Sequence, residues 1–223
     1  MVKRNIFKLA FFVVGLLGLA TLLAGIWRTD NMGELETAVS VTPPPPESPA
    51  PAKRSSGAPL EAPVPPTAEF LERITKKPFG IFITPDNSPV SPERFTGWHN
   101  GVDVEFEDVS GSVPIRAIAD GIVLRSETVS GYGGVSVVQH QLDDAPVVAL
   151  YGHLDPASLV QRGATVSAGQ QLGVLGESGT PATDGERKHL HFSLKPGTEV
   201  DVRGYVSTEA ELADWRDPTL LFQ

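Results

Sequence analysis

Five residues in three short stretches have the types and spacings to do chemistry. His99 and Asp103 lie in Trp98-His99-Asn100-Gly101-Val102-Asp103, His189 and His191 in His189-Leu190-His191-Phe192, and His153 ends the run Val147 to His153. Imidazole and carboxylate side chains can hold a divalent metal or move a proton. The chain has no cysteine, so thiolate ligands, thiol nucleophiles and disulfides are excluded, and any metal must sit on His, Asp or Glu. In a strand, His189 and His191 project from one face about 6.6 Å apart, with Leu190 and Phe192 turned to the core. A helix would place the two imidazoles about 200° apart. Residues four apart on a straight strand lie about 13 Å apart, too far to grip one ion. Asn100-Gly101 is therefore expected to be a turn that folds Asp103 back toward His99. His153 is expected to share a face with Val147, Ala149 and Tyr151 at the end of its strand. Taken singly, the first stretch reads better as a surface turn and His153 as a structural histidine, and the His189–His191 stretch reads plausibly as a strand edge with solvated histidines.

The elements that must position these residues are short and β-rich. Runs at Gly101–Glu105, Val113–Ala117, Gly121–Glu127, Val135–Gln139, Val147–Tyr151, Gln171–Leu175 and His189–Leu194 are punctuated by glycine turns. Short helices are expected at Ala68–Lys76 and Glu209–Trp215. Closely spaced strands without long intervening helices predict a mainly β fold, an antiparallel sandwich or barrel. His140 reads as structural, and Tyr132 as either a groove residue or a turn aromatic. Asp201, Asp214 and Asp217 read as solvated or capping groups.

The remaining sequence divides the chain into three parts. Leu9 to Trp27 is nineteen residues without a charge, about 28 Å as a helix, preceded by Lys3, Arg4 and Lys8. Residues 1–28 are expected to be a membrane anchor with its N-terminus in the cytoplasm and the rest outside; a cleavable signal peptide is the alternative. Residues 29–66 are expected to form a linker, with ten prolines in the 24 residues from Pro43 to Pro66. Residues 67–223 are the expected folded domain. With 18 Lys+Arg against 27 Asp+Glu, the net charge of -9 argues against a phosphate-binding groove for nucleic acid.

Read together, HNGVD, AIADGIV followed by GYGGVSVV, LYGHL, GATVSAGQQLGVLGESG and HLHF resemble, in order, the LytM/lysostaphin-type zinc endopeptidases. The resemblance covers about Phe95 to Leu194. It implies a duplicated hybrid motif (barrel-sandwich) fold and hydrolysis of peptide bonds in peptidoglycan stem peptides or cross-bridges. It implies that His99, Asp103 and His191 bind one Zn2+, and that His153 and His189 are catalytic without being ligands. The chain departs from the family pattern in a charged approach, Thr183-Asp184-Gly185-Glu186-Arg187-Lys188, and in Ser193, where an acidic residue is common. Both are expected to alter the electrostatics of the groove. Two other readings stand beside the endopeptidase. One is a catalytically silent relative that binds murein and activates another hydrolase; such members typically lose ligands, and all three are present here. The other is a periplasmic adaptor of a transport system, suggested by the biotinyl/lipoyl-like VSAGQQLGVLG and weakened by the lack of a long heptad hairpin. The expected partners are peptidoglycan peptides, the membrane through the N-terminal helix, and a regulatory protein of unknown identity.

Overall fold

The computed structural model describes residues 62–223; the expected anchor and most of the proline-rich stretch lie outside them. Among the described residues, no helix is long and apolar enough to cross a membrane. The last residues of the expected linker already pair with the domain: the Val64 amide donates to the Ile118 carbonyl, and the Pro66 carbonyl accepts from Arg116.

The fold is mainly β and antiparallel. In chain order the strands are β1 (Phe82–Ile83), β2 (Gly97–His99), β3 (Gly101–Glu105), β4 (Pro114–Arg116), β5 (Gly121–Val129), β6 (Gly133–Leu142), β7 (Ala145–Leu154), β8 (Thr165–Val166), β9 (Gln171–Val174), β10 (His189–Pro196) and β11 (Tyr205–Val206). They form a six-stranded sheet in the order β3-β10-β7-β6-β5-β8, a three-stranded sheet β1-β2-β11 and a two-stranded sheet β4-β9. The large sheet is open, not a closed barrel. Its edge strand β8 has two residues and pairs only with β5, so nothing joins it to β3.

Local sequence accounts for the longest hairpin. Asp143 and Asp144 between β6 and β7 adopt φ of 50° and 61°, the paired left-handed conformation of a tight two-residue hairpin turn. Aspartate tolerates that region because its short side chain can bond locally. One face of the large sheet then carries Val102, Val104, Val138, Ala149, Tyr151, Leu190 and Phe192 into a core closed by Ile115 of β4 and Leu172 of β9.

Both expected helices are cut short. Ala68–Lys76 forms turns, not a helix. Glu69 takes φ 53°, which interrupts helical winding, while Phe70 is held edge-on against Phe192 and Phe222 at ring distances of 5.8 and 5.1 Å. Tertiary packing overrides local propensity there. The second helix is a single turn, α1 (Glu209–Leu212), held by a capping box between Thr208 and Glu211. It stops before Trp215 because Arg216 bridges to Leu194 beside β10.

Candidate metal centre and active site

The site is built where β3 and β10 pair. Their antiparallel register sets His191 opposite Asp103 and His189 opposite Glu105. With side chains alternating along each strand, these four residues share one face, and Leu190 and Phe192 point into the core on the other. His99 arrives by a different route from the expected turn. The chain passes from β2, in the three-stranded sheet, to β3, in the six-stranded sheet, with only Asn100 between them. That change of sheet brings His99 Nε2 within 3.2 Å of Asp103 Oδ1. Gly101 is an ordinary strand residue whose lack of a side chain is needed for another reason: a Cβ there would lie 2.9 Å from His191 Nε2 and 2.6 Å from the Phe192 carbonyl.

His153 also reaches the site unexpectedly. Regular alternation would point it to the core with Tyr151. Instead, the register against β6 skips from Gly152 to Leu154, and His153 adopts φ 63° in the resulting bulge. This left-handed residue turns its imidazole to the opposite face, where its ring centroid lies 4.1 Å from that of His189 and 5.3 Å from that of Tyr132. Asp103, His153, His189 and His191 thus line one cleft of about 240 Å³, with Tyr132 and Tyr205 in its walls, and His99 lies buried behind it against Asp103 and His191. Gly152 gives Tyr132 its place, since a Cβ there would come within 2.5 Å of the tyrosine ring.

Three atoms at the base of this site form a nearly equilateral triangle. His99 Nε2 to Asp103 Oδ1 is 3.2 Å, His191 Nδ1 to Asp103 Oδ1 is 3.1 Å, and His99 Nε2 to His191 Nδ1 is 3.1 Å. His99, Asp103 and His191 are buried and could together hold a metal ion. Ligand bonds of about 2.0–2.1 Å arranged tetrahedrally around zinc require ligand separations of about 3.3 Å, so the triangle fits one face of such a tetrahedron. The second nitrogen of His99 supports the same role: Nδ1 lies 3.1 Å from the Pro78 carbonyl, to which its proton is donated, leaving Nε2 with a free lone pair. His189 is oriented alike, Nδ1 lying 2.9 Å from the Arg187 carbonyl and Nε2 3.5 Å from Asp103 Oδ2.

Burial dominates the electrostatics. It drives the His153 imidazole down to about 3, an effect that the nearby Asp103 charge only partly opposes. His189 is held well below the ordinary histidine value, by burial and then by His153. Burial would raise the Asp103 carboxyl, but His189, His99 and Arg187 outweigh it and hold Asp103 well below the usual carboxylate range. Burial thus disfavours the charged form of His153 and His189 beside an Asp103 that stays ionised. His153 Nδ1, His191 Nε2 and the Tyr132 hydroxyl are buried without hydrogen-bond partners among the described residues.

Residues 97–202 match Peptidase family M23. The match covers just under half of the chain. It begins with β2 and contains all five site residues. Over 86 residues the chain is 36% identical to the murein hydrolase activator EnvC of Escherichia coli, covering 39% of this chain and 19% of EnvC. Over 144 residues it is 30% identical to the murein hydrolase activator NlpD of Salmonella dublin, covering 62% of this chain and 35% of NlpD. The chain thus spans between about a fifth and a third of the length of these curated relatives. Among solved structures, lysostaphin of Staphylococcus simulans matches with a TM-score of 0.43 and 21% identity, over 70% of this chain and 52% of lysostaphin.

Beyond the five selected residues, the matched segment places Arg187 and Glu105 against the site. Arg187 lines the cleft, with Glu186 beside it, and is at the same time a largely buried partner of Asp103 and Glu105. Lys188 is buried too, donating to the Gly111 carbonyl and pairing with Glu177. Period-two spacing contained the signal: Glu105 is two residues after Asp103, and Arg187 two before His189. Ser193, on the same strand face as His191, is fully buried with its hydroxyl unpartnered.

Proposed function

We propose that the chain is a zinc-dependent endopeptidase that hydrolyses peptide bonds in peptidoglycan stem peptides or cross-bridges during wall remodelling. The observation that carries this reading is the His99–Asp103–His191 triangle with two further imidazoles beside it. His99, Asp103 and His191 would hold the ion, leaving one position open. Zinc, when bound, would polarise the scissile carbonyl and acidify the attacking water. His189 is the group placed to take that water's proton, since its Nδ1 proton is committed to the Arg187 carbonyl, which leaves Nε2, 3.5 Å from Asp103 Oδ2, as the basic nitrogen. His153, held neutral by burial beside His189, can donate to the developing oxyanion or pass the proton to the leaving amine. Tyr132 offers an uncommitted hydroxyl to the same cleft.

The domain would act from the outer face of the cytoplasmic membrane, with residues 1–28 as anchor and the proline-rich segment of residues 29–66 as spacer toward the wall. The duplicated hybrid motif remains our assignment for the finer fold of residues 67–223. A second reading is favoured by the identity to EnvC and NlpD: the chain would activate another hydrolase through a protein partner. The retained ligand set weighs toward catalysis.

The test is zinc content of the full-length chain, with muropeptide cleavage assayed alongside. The wild type is expected to carry about one zinc and to cleave. His191→Ala is expected to lose both properties, and His189→Ala to keep zinc while losing at least about a hundredfold in rate. A zinc-loaded wild type that cleaves nothing but raises the rate of a separate murein hydrolase would establish the activator reading instead.

A further inference from the structure

The two oxygens of Asp103 are committed to different partners. Oδ1 faces His99 and His191, at 3.2 and 3.1 Å, and belongs to the metal triangle. Oδ2 accepts from Arg187 Nη2 at 2.7 Å. The same guanidinium is anchored on Glu105, with Nε 2.9 Å from Oε2 and Nη2 2.8 Å from Oε1. Side-chain exposure of Arg187, Asp103 and Glu105 is 9%, 3% and 10%, so this network is shielded from water and its geometry is held. A carboxylate on a free rotor could turn either oxygen, or both, toward a metal. Here one oxygen is blocked.

From this we infer that Arg187 is a positioning residue for the metal centre: it holds Asp103 as a one-oxygen ligand, with Glu105 as its counter-charge. The inference rests on the reading of His99, Asp103 and His191 as ligands. A cation beside a metal ligand would by itself oppose a divalent ion. Glu105, bound through both oxygens to the same guanidinium, offsets that repulsion and leaves the orienting effect. Lysine could supply the charge, but not the planar fork that spans two carboxylates. The network would therefore favour four-coordination over the expanded coordination that a two-oxygen aspartate permits. Arg187 thereby gives a specific task to the charged segment before His189, which the reaction itself leaves without one.

The experiment uses the full-length chain as wild type, Asp103→Ala, Arg187→Gln, Arg187→Lys and Glu105→Gln. Zinc affinity is measured by chelator competition, and the visible d–d absorption of the Co2+-substituted protein reports coordination number. Arg187→Gln is expected to weaken zinc binding about 10- to 100-fold and to lower the intense four-coordinate cobalt band, with Arg187→Lys restoring part of the affinity. Glu105→Gln is expected to weaken zinc about tenfold by leaving the guanidinium charge uncompensated. A folded Arg187→Gln protein with wild-type affinity and spectrum overturns the inference; should that variant fail to fold, unchanged affinity in Glu105→Gln overturns it. Metal uptake by the wild type that is lost in Asp103→Ala upholds the ligand assignment whatever Arg187 does. A wild type that takes up neither metal overturns the ligand assignment and the role of Arg187 together.

Discussion

The two faces of the six-stranded sheet are built from the same strands and treat their histidines in opposite ways. On the core face, His140 is 1% exposed and both its nitrogens have partners, Nδ1 the Asp120 carbonyl at 3.2 Å and Nε2 the Tyr151 hydroxyl at 3.0 Å. On the other face His153 and His191 are as deeply buried, yet each keeps one nitrogen without a partner. Burial depresses His140 to about 4 and His153 to about 3, so neither burial nor titration separates the structural imidazole from the chemical one. An unpartnered nitrogen distinguishes His153 and His191 from His140, whereas His99 and His189 of the same site have partners at both nitrogens and are set apart by their nearness to Asp103. A buried polar atom without a partner costs free energy, and at His153 and His191 that cost falls on side chains lining the cleft.

The sharpest way to break this contrast is to cut adjacent residues on β10. Phe192 faces the core, with ring contacts to Phe70 and Tyr151 at 5.8 and 5.1 Å, whereas His191 faces the cleft. Phe192→Ala is expected to cost about 3–5 kcal/mol of stability through lost burial and a residual cavity. His191→Ala, measured in the zinc-free chain by urea unfolding, is expected to lose less than half as much, because it also removes an unsatisfied buried nitrogen. Equal losses would mean that the cleft face supports the fold as much as the core does.

Acid should sharpen the contrast from the core side. With His140 at about 4 in the fold and near 6.5 when unfolded, the unfolded chain binds the extra proton between those values. Its contribution is fully present above about pH 6.5 and is lost as pH falls toward 4, a loss approaching about 3 kcal/mol. His140→Gln should remove that share of the pH dependence, leaving the part due to the cleft histidines. Unfolding free energies of the two proteins at pH 7 and pH 4 give the comparison; parallel pH slopes would show that His140 is not held neutral.

Strand positions were legible because period-two patterning and glycine turns survive in the sequence. Each of the seven expected strands lies within or overlaps an observed one, whereas β1, β2, β8 and β11 carry only two or three residues each and leave no pattern to read. The five site residues were legible by type and order, but not the routes by which they meet. The change of sheet at Asn100 and the bulge at His153 depend on pairing between distant strands, which no local window contains. Arg187 was hidden for a different reason: a charged residue in a charged loop looks solvated until Asp103 and Glu105 are placed opposite it.

The smallest expected effect concerns the bulge itself. His153 occupies a left-handed conformation at φ 63°, which asparagine tolerates and a β-branched side chain resists. His153→Asn and His153→Val both remove the imidazole, so both should lose activity alike. In stability they should part, with the valine variant lower by about 1–2 kcal/mol because its branched Cβ meets the following carbonyl. On the core face the equivalent test has no counterpart, since His140 has no left-handed backbone to expose. If the two variants unfold at the same urea concentration, the bulge has relaxed to regular strand. The left-handed turn at His153 would then be held by the imidazole's own contacts with His189 and Tyr132, and the cleft face would be shaping its backbone instead of being shaped by it.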